Sequence, residues 1–203
     1  MIPVPPFLRG ASAVLGSPQV ERLAWVRGDL KVPKVTAKNF SNNLSVSSTQ
    51  SPLPNLMEVF LANINHLESL AVLFDRFRIF YNQPSNLEAA KDFLKERFNN
   101  NDSVVFAAND NGELVGFTQL YPSFSSVSMK RVWILNDLYV EESHRRQGIA
   151  KLLMSVAKEY AKESGAIRVI LATQISNITA QQLYEARDYI KNEEFYYYAL
   201  RLQ

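Results

Sequence analysis

The chain has 203 residues, 47% of them hydrophobic and 21% charged, enough apolar material to bury the core of one domain with an appendage. It contains no cysteine, which excludes disulfides, thiolate metal sites and a cysteine acyl-enzyme. The formal charge of +2 is unevenly spread, with six Lys or Arg against two acids in residues 1–56 and 16 against 18 in residues 57–203. A slightly acidic body with no basic stripe among its aromatics argues against a nucleic-acid partner. No apolar run is long enough to span a bilayer, and the opening MIPVPPFLRG lacks the charged start and smooth apolar segment of a signal peptide. A cytoplasmic protein with no membrane partner is therefore expected.

Residues 1–56 combine scattered Pro and Gly with a Ser- and Asn-rich run and show no lasting period, so they read as a poorly organised extension. Val14 to Val26 has the makings of a short helix. The segment as a whole is either a basic targeting arm or sequence upstream of a true start at Met57. From Met57 to Leu61 the pattern predicts a strand, and from Asn65 to Tyr81 an amphipathic helix. Asn82 to Ser85 break it, and Ser85 or Asn86 caps a second helix that turns Leu87, Ala90, Phe93, Leu94 and Phe98 inward and ends over Asn99 to Asp102. Val104 to Ala108 and Leu114 to Tyr121 read as strands joined by the hairpin signal Asn109 to Gly112. Pro122 to Ser128 reads as a polar loop.

Val132 to Val140 is apolar, branched and aromatic, the pattern of a buried strand, while Ile149, Leu152, Leu153, Val156, Ala157 and Tyr160 recur at helical spacing. Between them lies a short charged loop in which Gly148 lets backbone pass close to a ligand and the first helical N–H groups point outward, the geometry of an anion site. Ser164 and Gly165 end the helix, and Ile167 to Thr173 predicts the next strand, which makes a parallel pair with the first. Asn177 to Arg187 is a shorter helix, and Glu194 to Leu202, rich in Tyr, is expected to close the sheet.

The loop has neither the G-x-G-x-x-G spacing of a dinucleotide site nor the G-K-[ST] ending of a nucleoside triphosphate site. It carries R-x-x-G-x-A as Arg145, Gly148 and Ala150, preceded by N-D-L-Y-V and followed by N-x-x-A-x-x-L-Y as Asn177, Ala180, Leu183 and Tyr184. These segments resemble the acyl-CoA loop, central strand and last helix of the GNAT superfamily of N-acetyltransferases, and element order extends the resemblance over residues 57–203. It implies a single α/β domain with a mixed, partly parallel central sheet flanked by helices, acetyl-CoA as co-substrate, no metal, and transfer of acetyl to an amine.

Residue by residue, the resemblance assigns the pyrophosphate to the backbone of Gln147, Gly148, Ile149 and Ala150, with Arg145 and Arg146 as cations beside it. The pantetheine falls to Leu138, Tyr139 and Val140, with help from Asn177, which is otherwise simply a helix cap. Tyr184 is placed to protonate the departing thiolate, its alternative being a core tyrosine. Asp137 is the first candidate for the base. Asn136–Asp137 resembles the Glu-Asp pair of diamine and polyamine acetyltransferases but departs from it at Asn136, and a structural aspartate or a chain of waters competes with that role. His66 and His144 read as structural or surface residues. Phe80, Tyr81, Tyr121, Phe124, Tyr196 and Tyr197, beside acids, suit a small cationic amine or polyamine. A protein or peptide amine, a CoA-binding sensor without turnover, and an interaction protein dimerising through the Tyr-rich last strand are the alternatives.

Overall fold

The computed structural model describes residues 57–202, so the expectations for residues 1–56 lie outside the described residues. Strand β1 (Met57–Leu61) leads into a 3₁₀ turn, Ile64–His66, in which the Asn63 side chain accepts from the amide of Asn65 and His66 Nδ1 accepts from the amide of Asn63. His66 is thus a capping residue. Helix α1 (Leu67–Phe80) follows, then α2 (Leu87–Asn100), whose N-cap is Asn86, its side chain accepting from the amide of Ala89.

One buried carboxylate joins the two helices. Asp75 of α1 accepts from Ser85 Oγ at 2.6 Å and from the Asn86 amide at 2.8 Å, with Arg78 beside it. Burial pushes its pKa up, but these three partners outweigh that and hold it below the ordinary value.

Strands β2 (Val104–Asp110) and β3 (Glu113–Ser125) form the expected hairpin, with Asn111 and Gly112 both at positive φ, 52° and 91°, as a tight two-residue turn requires. Strand β4 (Lys130–Val140), helix α3 (Ile149–Glu163), strand β5 (Arg168–Ile170) and helix α4 (Ile178–Glu185) complete the order. The sheet runs β1-β2-β3-β4-β5, antiparallel except for the parallel pair β4 and β5. Its two faces carry separate cores. Leu70, Phe74 and Leu94 of α1 and α2 pack on Val105, Phe117 and Tyr139, while Leu153, Met154, Ala157 and Tyr160 of α3 pack on Phe106, Leu120, Trp133 and Leu135. No helix among the described residues is long and apolar enough to cross a membrane.

Three elements differ from the sequence reading. Pro122 to Ser125 belong to β3, pairing with Trp133 to Lys130, because β2 has ended opposite Leu120 and a proline at a sheet edge leaves no ladder bond unmade. The strand expected over Ile167 to Thr173 is only Arg168–Ile170, since β4 bends away beyond Ile134. Glu194 to Leu202 forms no strand. Phe195, Tyr196 and Tyr198 stand 67%, 88% and 85% exposed, and among the described residues the sheet ends at β5: strand-forming side chains give a strand only where an edge pairs with them.

Candidate functional site

The site begins where the parallel pair ends. β4 and β5 pair only from Val132–Arg168 to Ile134–Ile170. Just beyond, the register of β4 against β3 slips, Gln119 facing Asp137 and Leu120 facing Leu135, so Asn136 is an extra residue with no partner on β3. A bulge of this kind bends its strand, and past it β4 keeps β3 on one side and has no strand on the other among the described residues.

Alternation decides which groups face that open edge. The Asp137 carbonyl accepts from Thr118 Oγ1 on β3 at 2.9 Å, while the Val140 carbonyl faces away and accepts from Arg145 Nε at 3.0 Å. Leu138, two residues from Val140, therefore turns its backbone N–H and C=O to the open edge, and Tyr139 turns its own to β3.

β4 passes into α3 through a 3₁₀ turn at Glu142–His144, an extended Arg145, then Arg146 at φ 62° and Gly148 at φ 86°. Only glycine takes the second of these without strain. Gly148 is the N-cap of α3 and has no side chain to offer, and the first turn of α3 holds no acid, whereas α1 and α2 begin with Glu68 and Glu88. The first helical bond of this turn runs from the Leu152 amide to the Gly148 carbonyl, so the amides of Ile149, Ala150 and Lys151 have no carbonyl within the helix to reach. Ile149, 3% exposed, anchors the turn in the core. Such a helix end presents unpaired N–H groups and the positive end of the helix dipole.

The two arginines differ. Arg145 holds the Val140 carbonyl and lies over the rings of Phe80 and Tyr139, at 5.5 and 5.9 Å, so it braces the loop. Arg146 is exposed at the left-handed turn. Gln147 closes back on the Ser143 carbonyl at 3.2 Å, and His144 sits 3.6 Å from Asp110, a surface arrangement.

On the α1 and α2 side of the bulge lies Asp137, 6% exposed. Burial pushes its carboxyl up to about 7, against a smaller opposing effect from Asn136, whose Nδ2 donates to Oδ1 at 3.0 Å. Neighbouring side chains of a regular strand point to opposite faces; the bulge brings these two together. Tyr81 at the end of α1 and Tyr121 on β3 feel the Asp137 charge, and both phenols are raised, first by burial and then by that charge. Tyr184 of α4 lies against the α3 core and near Tyr81, its phenol pushed up to about 12 chiefly by burial.

Asn177 caps α4, its Oδ1 accepting from the Ala180 amide at 3.1 Å. Of the aromatics expected at the acceptor side, Tyr81 and Tyr121 gather around Asp137 and Phe80 lies beside Arg145. Phe124 instead stacks with Arg131 and is 65% exposed, and Tyr196 and Tyr197 are exposed on the terminal segment. The sequence reading missed Gln119, which is fully buried directly opposite Asp137, and the bulge at Asn136. A lone amide in the strand Val-Gly-Phe-Thr-Gln-Leu was the available signal for the first; register between strands left none for the second.

Residues 68–189 match the Acetyltransferase (GNAT) family. The chain belongs to this family and is an N-acetyltransferase, acetyl-CoA being the donor that the family uses. Among relatives, it is 44% identical over 146 residues to an uncharacterized N-acetyltransferase, YhfO, of Bacillus subtilis (strain 168), covering 72% of this chain and 98% of the relative. A crystal structure of a probable acetyltransferase, 43% identical, superposes with a TM-score of 0.69 over 72% of this chain and 99% of that one. The fold is also that of the aminoglycoside N-acetyltransferase AAC(6')-Iy in complex with CoA, at 22% identity, a TM-score of 0.62, and coverage of 75% and 99%.

Proposed function

We propose that the chain transfers acetyl from acetyl-CoA directly to the primary amine of a small molecule, a diamine or polyamine by preference, with Asp137 as the proton acceptor. The observation that carries this is the placement of one buried carboxyl, with its pKa pushed up to about 7, at the point where β4 opens its edge. A general base works best when its pKa lies near the working pH, because it is then both ionised and basic enough.

The residues divide the task along β4 and the two helices that follow. The amides of Gly148, Ile149 and Ala150, with Gln147 ahead of them and Arg146 beside them, suit a pyrophosphate. They offer donors and positive potential with no competing acid. The edge groups of Leu138 and Val140 suit an amide-bearing arm lying along the strand, and Tyr139, which turns its backbone to β3, supports that edge through its ring. Asn177 holds the start of α4 and through it Tyr184. Asp137 takes the amine proton, and the nitrogen then attacks the thioester carbonyl. The Tyr184 phenol, kept neutral by burial, gives its proton to the departing sulfur. Tyr81 and Tyr121 are aromatic residues within reach of the Asp137 charge, surroundings that favour a compact ammonium.

The experiment is release of free CoA thiol from acetyl-CoA in the presence of diamines, polyamines, aminoglycosides, amino acids and peptides. Turnover is expected with the small amines. Turnover confined to peptides would sink the acceptor class, and acetyl-CoA binding without thiol release across the panel would sink the reaction.

A further inference from the structure

Gln119 is a buried polar residue that the mechanism above does not use. It is fully buried on β3, its register partner on β4 is Asp137, and directly opposed residues of an antiparallel pair share one face with Cβ atoms about 5 Å apart. Its Nε2 donates to Ser103 Oγ at 2.8 Å, which sets the orientation of the carboxamide, while its Oε1 is buried with no hydrogen-bond partner among the described residues. A buried acceptor without a donor is costly and calls for a donor that is present in some state of the protein.

Asp137 supplies one in only one of its two states. Asn136 Nδ2 donates to Oδ1, which leaves Oδ2 as the oxygen that takes a proton. As a carboxylate, Asp137 has nothing to donate; as a neutral carboxyl it has an O–H. We propose that Gln119 is a positioning residue for the proton acceptor: its carboxamide oxygen receives the Oδ2–H of Asp137 once Asp137 has taken a proton from the acceptor ammonium. In that step one N–H bond breaks, its electron pair stays on nitrogen as the attacking pair, and the proton forms the O–H bond on Oδ2. Asn136 and Gln119 thus divide the carboxyl between them, a donor for one oxygen and an acceptor for the other, and the bond to Gln119 exists only in the protonated state. The role of this pair in turnover rests on the proposed function; the pairing itself does not.

Among the described residues, the other titratable groups that feel the Asp137 charge are Tyr81 from α1 and Tyr121 from β3. Tyr81 in turn acts on Tyr184 of α4, and Arg97 of α2 and Asp102 of the loop after it act on Tyr121. None of them offers the carboxyl an acceptor selective for its neutral form.

The test is a titration of the Asp137 carboxyl by ¹³C NMR on the full chain, which needs no substrate, alongside the pH profile of kcat/KM. Gln119→Met keeps the volume and removes the acceptor, and Ser103→Ala, at a half-buried position, releases the anchor without disturbing the core if the first variant fails to fold. Both are expected to move the titration and the acid limb to lower pH, by about half a unit or more. An unmoved titration would reduce Gln119 to packing, and an upward shift would mean that its N–H, not its oxygen, faces the carboxyl; either overturns the proposal. A shifted titration in a protein that acetylates no amine would leave the pairing standing and remove the proposed function.

Discussion

Asn136, the residue that β4 inserts at its bulge, donates its side-chain amide to the carboxyl of Asp137 beside it at 3.0 Å. The bond favours the ionised carboxyl and opposes the larger effect of burial. Asn136→Ala should therefore raise the Asp137 pKa further above 7. Because the base is active when ionised, the acid limb of the kcat/KM profile should move to higher pH, with activity at pH 7 falling several-fold and recovering as pH rises. A profile that only drops in height, with no displacement, would show that Asn136 acts on geometry alone.

Asp137→Asn separates activity from stability. Loss of the base should lower kcat by about 10²–10⁴-fold with little change in acetyl-CoA affinity. Stability should move the other way. A carboxyl raised from 3.8 to about 7 on folding binds a proton more tightly in the folded state, so the wild type loses stability as pH climbs from about 4 to about 7. At pH 8 the variant should be more stable than the wild type, by up to a few kcal/mol, and at pH 4 the gap should close. Denaturant melts at the two pH values measure it.

Tyr184→Phe removes one hydroxyl from a half-buried ring that packs on the α3 core and lies 6.1 Å from the ring of Tyr189. The ring stays, so folding and acetyl-CoA affinity should change little. Loss of the proton donor should lower kcat by about 10²-fold or more. Full turnover in the variant would remove Tyr184 from the chemistry and leave it a packing residue.

Gly148→Val tests the loop. Apart from its chain neighbours, no atom of the described residues lies within 4 Å of where the new Cβ would stand, so the fold should survive, but φ 86° is strained for any branched side chain, by roughly 1–3 kcal/mol. Relief of that strain turns the first amides of α3 away from a common point. Acetyl-CoA affinity should fall by about tenfold or more in calorimetry, and unchanged affinity would show that those amides do not hold the pyrophosphate.

Much of this protein was legible because its signals are local. The caps of α2 and α4 at Asn86 and Asn177, the hairpin at Asn111 and Gly112, and the helical face of α3 each depend on residues a few positions apart, and each lies where the spacing puts it. The terminal segment shows the limit of such reading. Phe195 to Leu202 has the composition of a strand, yet composition describes a willingness to pair, and pairing needs an edge in reach.

The loop from Arg145 to Ala150 belongs to the sequence by itself. A glycine at φ 86°, a first turn without a side-chain cap and the lack of an acid in that turn are properties of consecutive residues, and they leave the first amides of α3 unpaired within the helix whatever surrounds them. The surroundings of Asp137 belong to the tertiary structure. Its raised pKa, its bond from Asn136 and its place opposite Gln119 all follow from how β4 lies against β3 and beneath α1 and α2. A slip of one residue in that register would send the carboxyl to the other face, so no reading of β4 alone could fix its neighbours.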